Sequence, residues 1–110
     1  MEVKIERDDD LKIISLNGSL DVATSDKARD EVIGMLDSKP TIVSMKNCDY
    51  VSSSGLRALL MIAKTAKSKK IKLVYAEAID EVVDVLEMTG FIKMLQCVKT
   101  LEEAETIVKG

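Results

Sequence analysis

Histidine is absent from all 110 residues of the chain, and tryptophan is absent as well. Without an imidazole the chain cannot build a Ser-His-Asp triad or carry phosphate on histidine, and it lacks a common ligand of zinc sites. The sequence therefore argues against triad hydrolases, histidine phosphorelay proteins and most zinc proteins. We expect the chain not to be an enzyme and to hold no metal and no cofactor.

Aromatic residues are also scarce, since only Tyr50, Tyr75 and Phe91 could stack on bases. The net charge is -3, and basic residues are mixed with acidic ones along most of the chain. The one basic cluster, Lys64–Lys70, falls on the last turns of a predicted helix, where cations suit the helix dipole. We therefore expect no direct contact with nucleic acid.

Two cysteines, Cys48 and Cys97, are present and form no Cys-x-x-Cys pair. We expect both thiols to be reduced and largely buried, because free cysteine is often a core residue. No apolar run is long enough to cross a bilayer, and Met1 is followed by Glu2 and Lys4, where a signal peptide would be apolar. We expect a cytoplasmic protein without membrane contact.

The composition is that of a folded protein, with 46% hydrophobic and 32% charged residues. At this length we expect one domain over residues 1–110. Strand patterns are predicted at 3–5, 11–16, 41–45, 71–75 and 95–98, the first two forming a hairpin. A helical pattern follows each of the last four strands. This order predicts an α/β fold with a mixed, mostly parallel sheet, an antiparallel hairpin strand at the start and about four helices.

This topology places two polar segments side by side. The loop at Gly18–Asp21 leaves the second strand, and the loop at Lys46–Ser53 leaves the third. Parallel strands that are joined through a helix end at the same edge of the sheet, where ligands and partners usually dock. We therefore expect Asp21 and the three serines Ser52–Ser54, the serine cluster, to be neighbours.

The serine cluster has several interpretations. A serine before a helix is a preferred N-cap, although one serine suffices for that role. A hydrolase elbow is disfavoured because the glycine two residues before the serine, any histidine and a Ser-x-x-Lys spacing are all missing. A nucleotide-binding loop would need spaced glycines and a Lys-Ser/Thr pair. The remaining interpretation is phosphorylation, since a helix N-terminus favours an added anion. The capping and phosphorylation interpretations both remain open from the residues alone.

Four segments together resemble the STAS-domain anti-sigma factor antagonists of bacteria. Gly18–Asp21 is like that family's G-x-[IL]-D, and Ile42–Met45 matches its buried strand. Ser52–Leu56 is like the family's Asp-Ser-[ST]-Gly-Leu core, and Met88–Phe91 is like its helix-ending [ML]-[ST]-G-[LF]. No single segment is specific, but their order and spacing together are, and the resemblance covers essentially the whole chain.

The resemblance implies a partner-switching protein. Such a protein binds an anti-sigma factor that is also a serine kinase, and so frees a sigma factor for transcription. The kinase uses ATP to phosphorylate a serine of the antagonist, which releases it, and a serine phosphatase resets the cycle. Alignment on Gly55 and Leu56 places the acceptor at Ser53. The family's aspartate before the acceptor is replaced by Ser52, which offers a second candidate acceptor.

The expected partner-binding residues are Asp21, Ser52, Ser53, Ser54 and Gly55. Ser53 is expected to serve as both the acceptor and the helix cap, with Ser54 at the helix start. Gly55, lacking a side chain, would let a partner approach the backbone. Asp21 either accepts hydrogen bonds from a basic group of the partner or has a turn role. We expect a monomer; the alternative function is a STAS scaffold subunit of a larger sensory assembly.

Overall fold

The computed structural model of the chain describes all 110 residues. The chain begins with two antiparallel strands, β1 (Glu2–Asp8) and β2 (Lys12–Leu20). The other elements follow in the order α1 (Ser25–Met35), β3 (Thr41–Ser44), β4 (Cys48–Val51), α2 (Ser53–Ser68), β5 (Leu73–Ala76), α3 (Asp80–Thr89), a short 3-10 helix (Phe91–Lys93), β6 (Cys97–Val98) and α4 (Leu101–Lys109). The predicted α/β fold, with its N-terminal hairpin and four helices, is confirmed.

Strand β2 lies inside the sheet and has three partners. The sheet runs in the order β1-β2-β3-β5-β6, and every pairing except that of β1 with β2 is parallel. The first half of β2 pairs with β3, from Lys12 opposite Thr41 to Ser15 opposite Ser44. Its second half, from Gly18 to Leu20, pairs with β4 instead. Strand β2 therefore pairs with β3 in the middle of the sheet and with β4 at the edge of the sheet where α2 begins.

Two of the predicted loops are strands in the structure. We expected Gly18 to break the second strand, but the strand continues to Leu20 with a bulge after Gly18, whose φ is +117°. A glycine adopts this backbone angle without the steric cost that a side chain brings. The segment Cys48–Val51 was predicted as part of a loop and forms β4. The serine cluster therefore follows a strand directly.

The sheet buries a different set of side chains on each face. Ile14, Val43 and Tyr75 face the cluster that includes the buried residues of α1, α2 and α3. Their immediate neighbours Ile13, Ile42 and Val74 pack with Ala104 and Val108 of α4 on the other face. This alternation along three adjacent strands is the period-2 pattern of a sheet covered on both sides. The helix that carries the serine cluster thus belongs to the larger layer.

Helix α2 is fixed to the sheet by one buried hydroxyl as well as by apolar packing. The Tyr75 Oη donates to the backbone oxygen of Leu59 at 2.6 Å, and Tyr75 is 1% exposed. Desolvation raises the pKa of this phenol well above its ordinary value, so it stays a donor at neutral pH. None of the helices has the length and apolar character needed to traverse a bilayer.

Candidate functional site

The serine cluster lies where β4 passes into α2, and Ser52 is the N-cap of that helix. The Ser52 Oγ accepts a hydrogen bond from the Gly55 N–H at 3.1 Å. The Ser52 N–H donates to the Leu20 oxygen at 2.9 Å, which extends the pairing of β2 with β4 by one bond. Our assignment of the cap to Ser53 is wrong, because the strand pairing fixes Ser52 in the extended conformation that a cap requires.

The other two serines have different environments from Ser52. Ser53 is the first residue of α2, it is exposed, and its hydroxyl makes no hydrogen bond within the protein. Ser54 is half-buried, and its Oγ accepts a hydrogen bond from Arg57 Nη2 at 3.3 Å. Only Ser53 therefore presents a free hydroxyl to solvent. The Ser53 hydroxyl has no hydrogen-bonded base beside it, whereas a serine nucleophile uses such a base.

Replacing the capping serine tests this division of roles. We expect Ser52→Ala to lower the free energy of unfolding by about 1 kcal/mol, because the Gly55 N–H loses its acceptor. Ser53→Ala should change it by less than about 0.5 kcal/mol, as is usual for exposed positions without contacts. Urea unfolding of the two variants and the wild type measures both values. Equal losses in the two variants would contradict the assignment.

Gly55 is a packing residue of the interior. A Cβ atom at this position would lie 2.5 Å from the Leu20 oxygen and 2.9 Å from Val51 Cγ1. Gly55 is buried, and a side chain at this position would point toward β2 and β4. We expected a partner to use this gap, and that reason is wrong. The glycine instead lets α2 begin against the end of β2, which sets the position of the serines.

Asp21 immediately follows β2, at the same edge of the sheet as the serine cluster. Leu20 pairs with Val51 in register, so the expected proximity of the two segments is confirmed. The Asp21 Oδ1 accepts from the backbone N–H groups of Ala23 and Thr24 at 2.9 and 3.1 Å and lies 3.2 Å from Thr24 Oγ1. The Ser25 Oγ donates to the Asp21 backbone oxygen. The turn role of Asp21 is thereby confirmed, and α1 starts from that turn.

The turn role leads to a prediction for Asp21. We expect Asp21→Ala to lower the free energy of unfolding by about 1–2 kcal/mol. The Ala23 N–H loses its acceptor, and the Thr24 N–H keeps only its longer bond to the Asp21 backbone oxygen at 3.3 Å. Asp21→Asn keeps a side-chain oxygen in the same place and should retain most of that stability. Thermal unfolding of both variants measures the difference. A loss of the same size for asparagine and alanine would mean that the charge, rather than the oxygen acceptor, stabilises the turn.

Neither cysteine belongs to the site as a nucleophile. Cys48 is buried at the start of β4, and Cys97 is half-buried in β6; both thiols are free. Desolvation raises the pKa of each thiol above its ordinary value. The reactive thiolate is therefore scarce at neutral pH.

A cleft beside the serine cluster was not predicted from the sequence. It has a volume of about 390 Å³ and lies between α1 and α2, and we call it the α1–α2 cleft. Two exposed apolar side chains line it, Val22 at 78% and Met61 at 48% exposure. Its polar lining consists of Asp26, Arg29, Ser54 and Arg57. These residues come together only because α1 packs against α2. No local pattern in the sequence therefore predicts the cleft.

Comparison with known proteins gives one family match and several similar chains. The sequence model of the family described as STAS domain matches residues 2–104. An anti-sigma F factor antagonist of Paenibacillus polymyxa is 28% identical over 114 residues, covering 97% of both chains. An anti-sigma factor antagonist from Mycobacterium paratuberculosis has a similar structure, with a TM-score of 0.82 and 20% identity over 99% of this chain and 94% of that one.

A third similar protein has been solved in two chemical states. The unphosphorylated form of the anti-sigma factor antagonist SpoIIAA matches with a TM-score of 0.77 and 19% identity, covering 99% of this chain and 97% of that one. The phosphorylated form of SpoIIAA from Bacillus matches with a TM-score of 0.68 and 18% identity, covering 97% and 99%. At these identities the structural likeness concerns the fold.

Proposed function

We propose that this chain, which belongs to the STAS domain family, is an anti-sigma factor antagonist that phosphorylation switches off. In its unmodified form it binds an anti-sigma factor that is also a serine kinase, and the sigma factor held by that kinase is released. The kinase transfers phosphate from ATP to Ser53, and the antagonist then dissociates. A serine phosphatase restores the hydroxyl. The chain itself supplies a binding surface and no catalysis, and the cycle takes place in the cytoplasm.

The choice of Ser53 as the acceptor rests on one observation. In the serine cluster, only the Ser53 hydroxyl makes no hydrogen bond within the protein. The Ser52 hydroxyl is engaged as the cap, and the Ser54 hydroxyl is bonded to Arg57. A kinase can seat an exposed, unbonded hydroxyl in its active site without breaking a contact of the fold. Phosphorylating Ser52 would instead disrupt the cap of α2. The geometry thus favours the same residue that the resemblance favours, and it argues against Ser52 as the acceptor.

The phosphate acts on the partner more than on the fold. At the first residue of α2 it lies beside backbone N–H groups that have no helical acceptor, and the helix dipole favours its charge. The modified surface, however, gains up to two negative charges at the centre of the proposed interface. A partner that packs against the hydroxyl must then bury an unpaired dianion. A loss of about 3 kcal/mol weakens binding roughly a hundredfold, which is enough to release the partner.

Two further facts support the proposal. The Paenibacillus relative, named as an anti-sigma F factor antagonist, covers nearly the whole of this chain. SpoIIAA, which has the same fold, has been solved both with and without phosphate. An anti-sigma factor antagonist of this fold has therefore been described both with and without phosphate.

Phosphate mapping tests the proposal. The purified chain is incubated with ATP and each anti-sigma factor kinase of its source bacterium, and the modified residue is identified by mass spectrometry. We expect one phosphate on Ser53 in the wild type and none in Ser53→Ala. Ser54→Ala serves as the matched control, because it removes a neighbouring hydroxyl on the same helix and should leave phosphorylation intact. Phosphate on Ser52 or Ser54 would contradict the choice of Ser53 as the acceptor. No phosphate with any kinase would contradict the proposed switch and favour the scaffold function.

A further inference from the structure

Arg57 differs from the other arginines of the chain in having no carboxylate partner. Arg7 pairs with Asp9, Asp10 and Glu105 at 2.9, 3.2 and 2.8 Å. Arg29 pairs with two aspartates of its own helix at 3.3 and 3.0 Å. Arg57 is exposed, lies within 4.0 Å of no carboxylate oxygen, and makes one side-chain hydrogen bond, to the neutral Ser54 hydroxyl. Its charge is therefore available to an anion from elsewhere.

Arg57 lies beside both Ser53 and the α1–α2 cleft, so its charge can bind an anion at either place. On helix α2 it is four residues after Ser53, and side chains four residues apart are neighbours, with about 5–6 Å between their Cβ atoms. The guanidinium already reaches back to the first turn of α2, where Arg57 Nη2 donates to Ser54 Oγ at 3.3 Å. A phosphate on the adjacent Ser53 is therefore within reach of it and offers the oxygen geometry that arginine binds in bidentate fashion. Arg57 also lines the α1–α2 cleft, with Met61 one turn further along the helix.

We infer that Arg57 is the cation for which the partner and the phosphate compete. This inference rests on the proposed function. Before phosphorylation, Arg57 pairs with a carboxylate on a partner segment that also places an apolar side chain between Val22 and Met61. After phosphorylation, the phosphate on Ser53 binds the same guanidinium. The partner then loses its ion pair and meets a negative charge in the same place.

Charge complementarity determines the kind of segment that fits. The cleft already contains the acid Asp26, which pairs with Arg29, whereas Asp30, the other partner of Arg29, is not part of the lining. The lining therefore holds one carboxylate, Asp26, against two guanidinium groups, Arg29 and Arg57. Arg57 is the unneutralised arginine of the lining, and the exposed side chains beside it are apolar. An acidic residue close to an apolar residue on the partner satisfies both features. A basic segment would meet Arg57 with like charge.

We expect Arg57 to bind the phosphate on Ser53 in preference to the carboxylate of the partner. It carries close to two charges against one for a carboxylate, and it is tethered on the same helix as the guanidinium. The partner's carboxylate must be brought in from solution with the loss of translational freedom that binding entails. Phosphorylation therefore removes an attraction as well as adding a repulsion.

The first test measures the phosphate directly and needs no partner. Phosphoserine is incorporated genetically at position 53, and the second phosphate pKa is followed by phosphorus NMR. The charged side chains on the elements around the start of α2 are Asp21 after β2, Asp49 on β4, Asp26 and Arg29 in the cleft lining, and Arg57 on α2 itself. A nearby cation favours the dianion, so Arg57→Gln should raise this pKa by about half a unit or more relative to the unsubstituted phosphoprotein. Arg57→Lys should restore part of the shift, because it keeps the charge without the planar fork.

Lys64→Gln is the matched control for this titration. It removes a positive charge from an exposed position of the same helix. Seven residues of helix separate it from Arg57, about 10 Å, and Ser53 is farther still. It should leave the phosphate pKa unchanged. If Arg57→Gln also leaves the pKa unchanged, the phosphate does not bind Arg57 and the inference is wrong.

The second test measures the affinity of the unphosphorylated protein for its kinase. Arg57→Gln should weaken binding about tenfold, as expected for loss of a well-placed charge pair, while Lys64→Gln binds as the wild type does. If Arg57→Gln binds the kinase as tightly as the wild type does, the proposed competition for Arg57 is wrong, even if the phosphate pKa shifts. The proposed function has its own readout, since it fails if the protein with phosphoserine at position 53 binds the kinase as well as the unmodified protein does.

Discussion

Replacing Gly55 with alanine is expected to lower the free energy of unfolding by about 2–3 kcal/mol, although alanine is the better helix former. The added Cβ would lie 2.5 Å from the Leu20 oxygen, which also accepts the Ser52 N–H hydrogen bond. Relief of this contact requires α2 to move away from β2 and to weaken that bond. Such a loss should lower the melting temperature by about 10 °C or more in a domain of this size. The consequence extends to the site, because the same movement displaces Ser53.

Gly34→Ala provides the matched control for Gly55→Ala. Gly34 lies in α1, it is exposed, and a Cβ there would meet no atom within 4 Å. We expect this variant to gain about 0.5–1 kcal/mol, because alanine reduces the entropy lost when the helix forms. Opposite signs for the two glycines in the same urea experiment would support the packing role. If Gly55→Ala is as stable as the wild type, the junction between β4 and α2 is looser than the structure indicates.

The second large effect is expected from a permanent negative charge at the proposed acceptor. Ser53→Asp should weaken binding to the kinase about a hundredfold, because the partner would bury an unpaired carboxylate in place of a neutral hydroxyl. The melting temperature should stay within about 2 °C of the wild type. A carboxylate at the first position of α2 is stabilised by the helix dipole, by about 0.3–1 kcal/mol, and Ser53 has no internal hydrogen bond to lose.

Ser53→Asn separates charge from shape in that experiment. Asparagine has nearly the size of aspartate and also suits the start of a helix, but it is neutral. We expect it to bind the kinase within about tenfold of the wild type. If asparagine and aspartate weaken binding equally, the effect is steric, and phosphate charge is not the basis of the switch. Isothermal titration calorimetry with the same kinase preparation gives both affinities.

The sequence was informative where the side-chain pattern was strong. Apolar residues alternate or cluster along β1, β3 and β5, and they recur at helical spacing in the helices. The order and type of these elements could therefore be predicted from the sequence. Strand β4 was missed because two of its four residues, Asp49 and Tyr50, are exposed, which leaves no run of buried residues. The continuation of β2 was missed because Gly18 and Ser19 have the composition of a turn.

The site was predicted in position but not in its details. Three adjacent serines offer the same hydroxyl, and local sequence cannot decide which one caps the helix. The pairing of β2 with β4 decides it, through the bond from the Ser52 N–H to Leu20. The role of Gly55 and the exposure of Arg57 likewise depend on the approach of α2 to other elements. Such tertiary contacts join residues more than 30 positions apart and leave no periodic signal in the chain.

In the proposed switch, the state of one hydroxyl, on Ser53, controls partner binding without altering the fold. The most direct measurement takes one preparation of the protein with phosphoserine at position 53 and determines both its affinity for the kinase and its melting temperature. We expect an affinity at least about a hundredfold lower than that of the unmodified protein, with the melting temperature nearly unchanged. Unchanged affinity, or a loss of affinity that accompanies unfolding, would contradict the proposed switch.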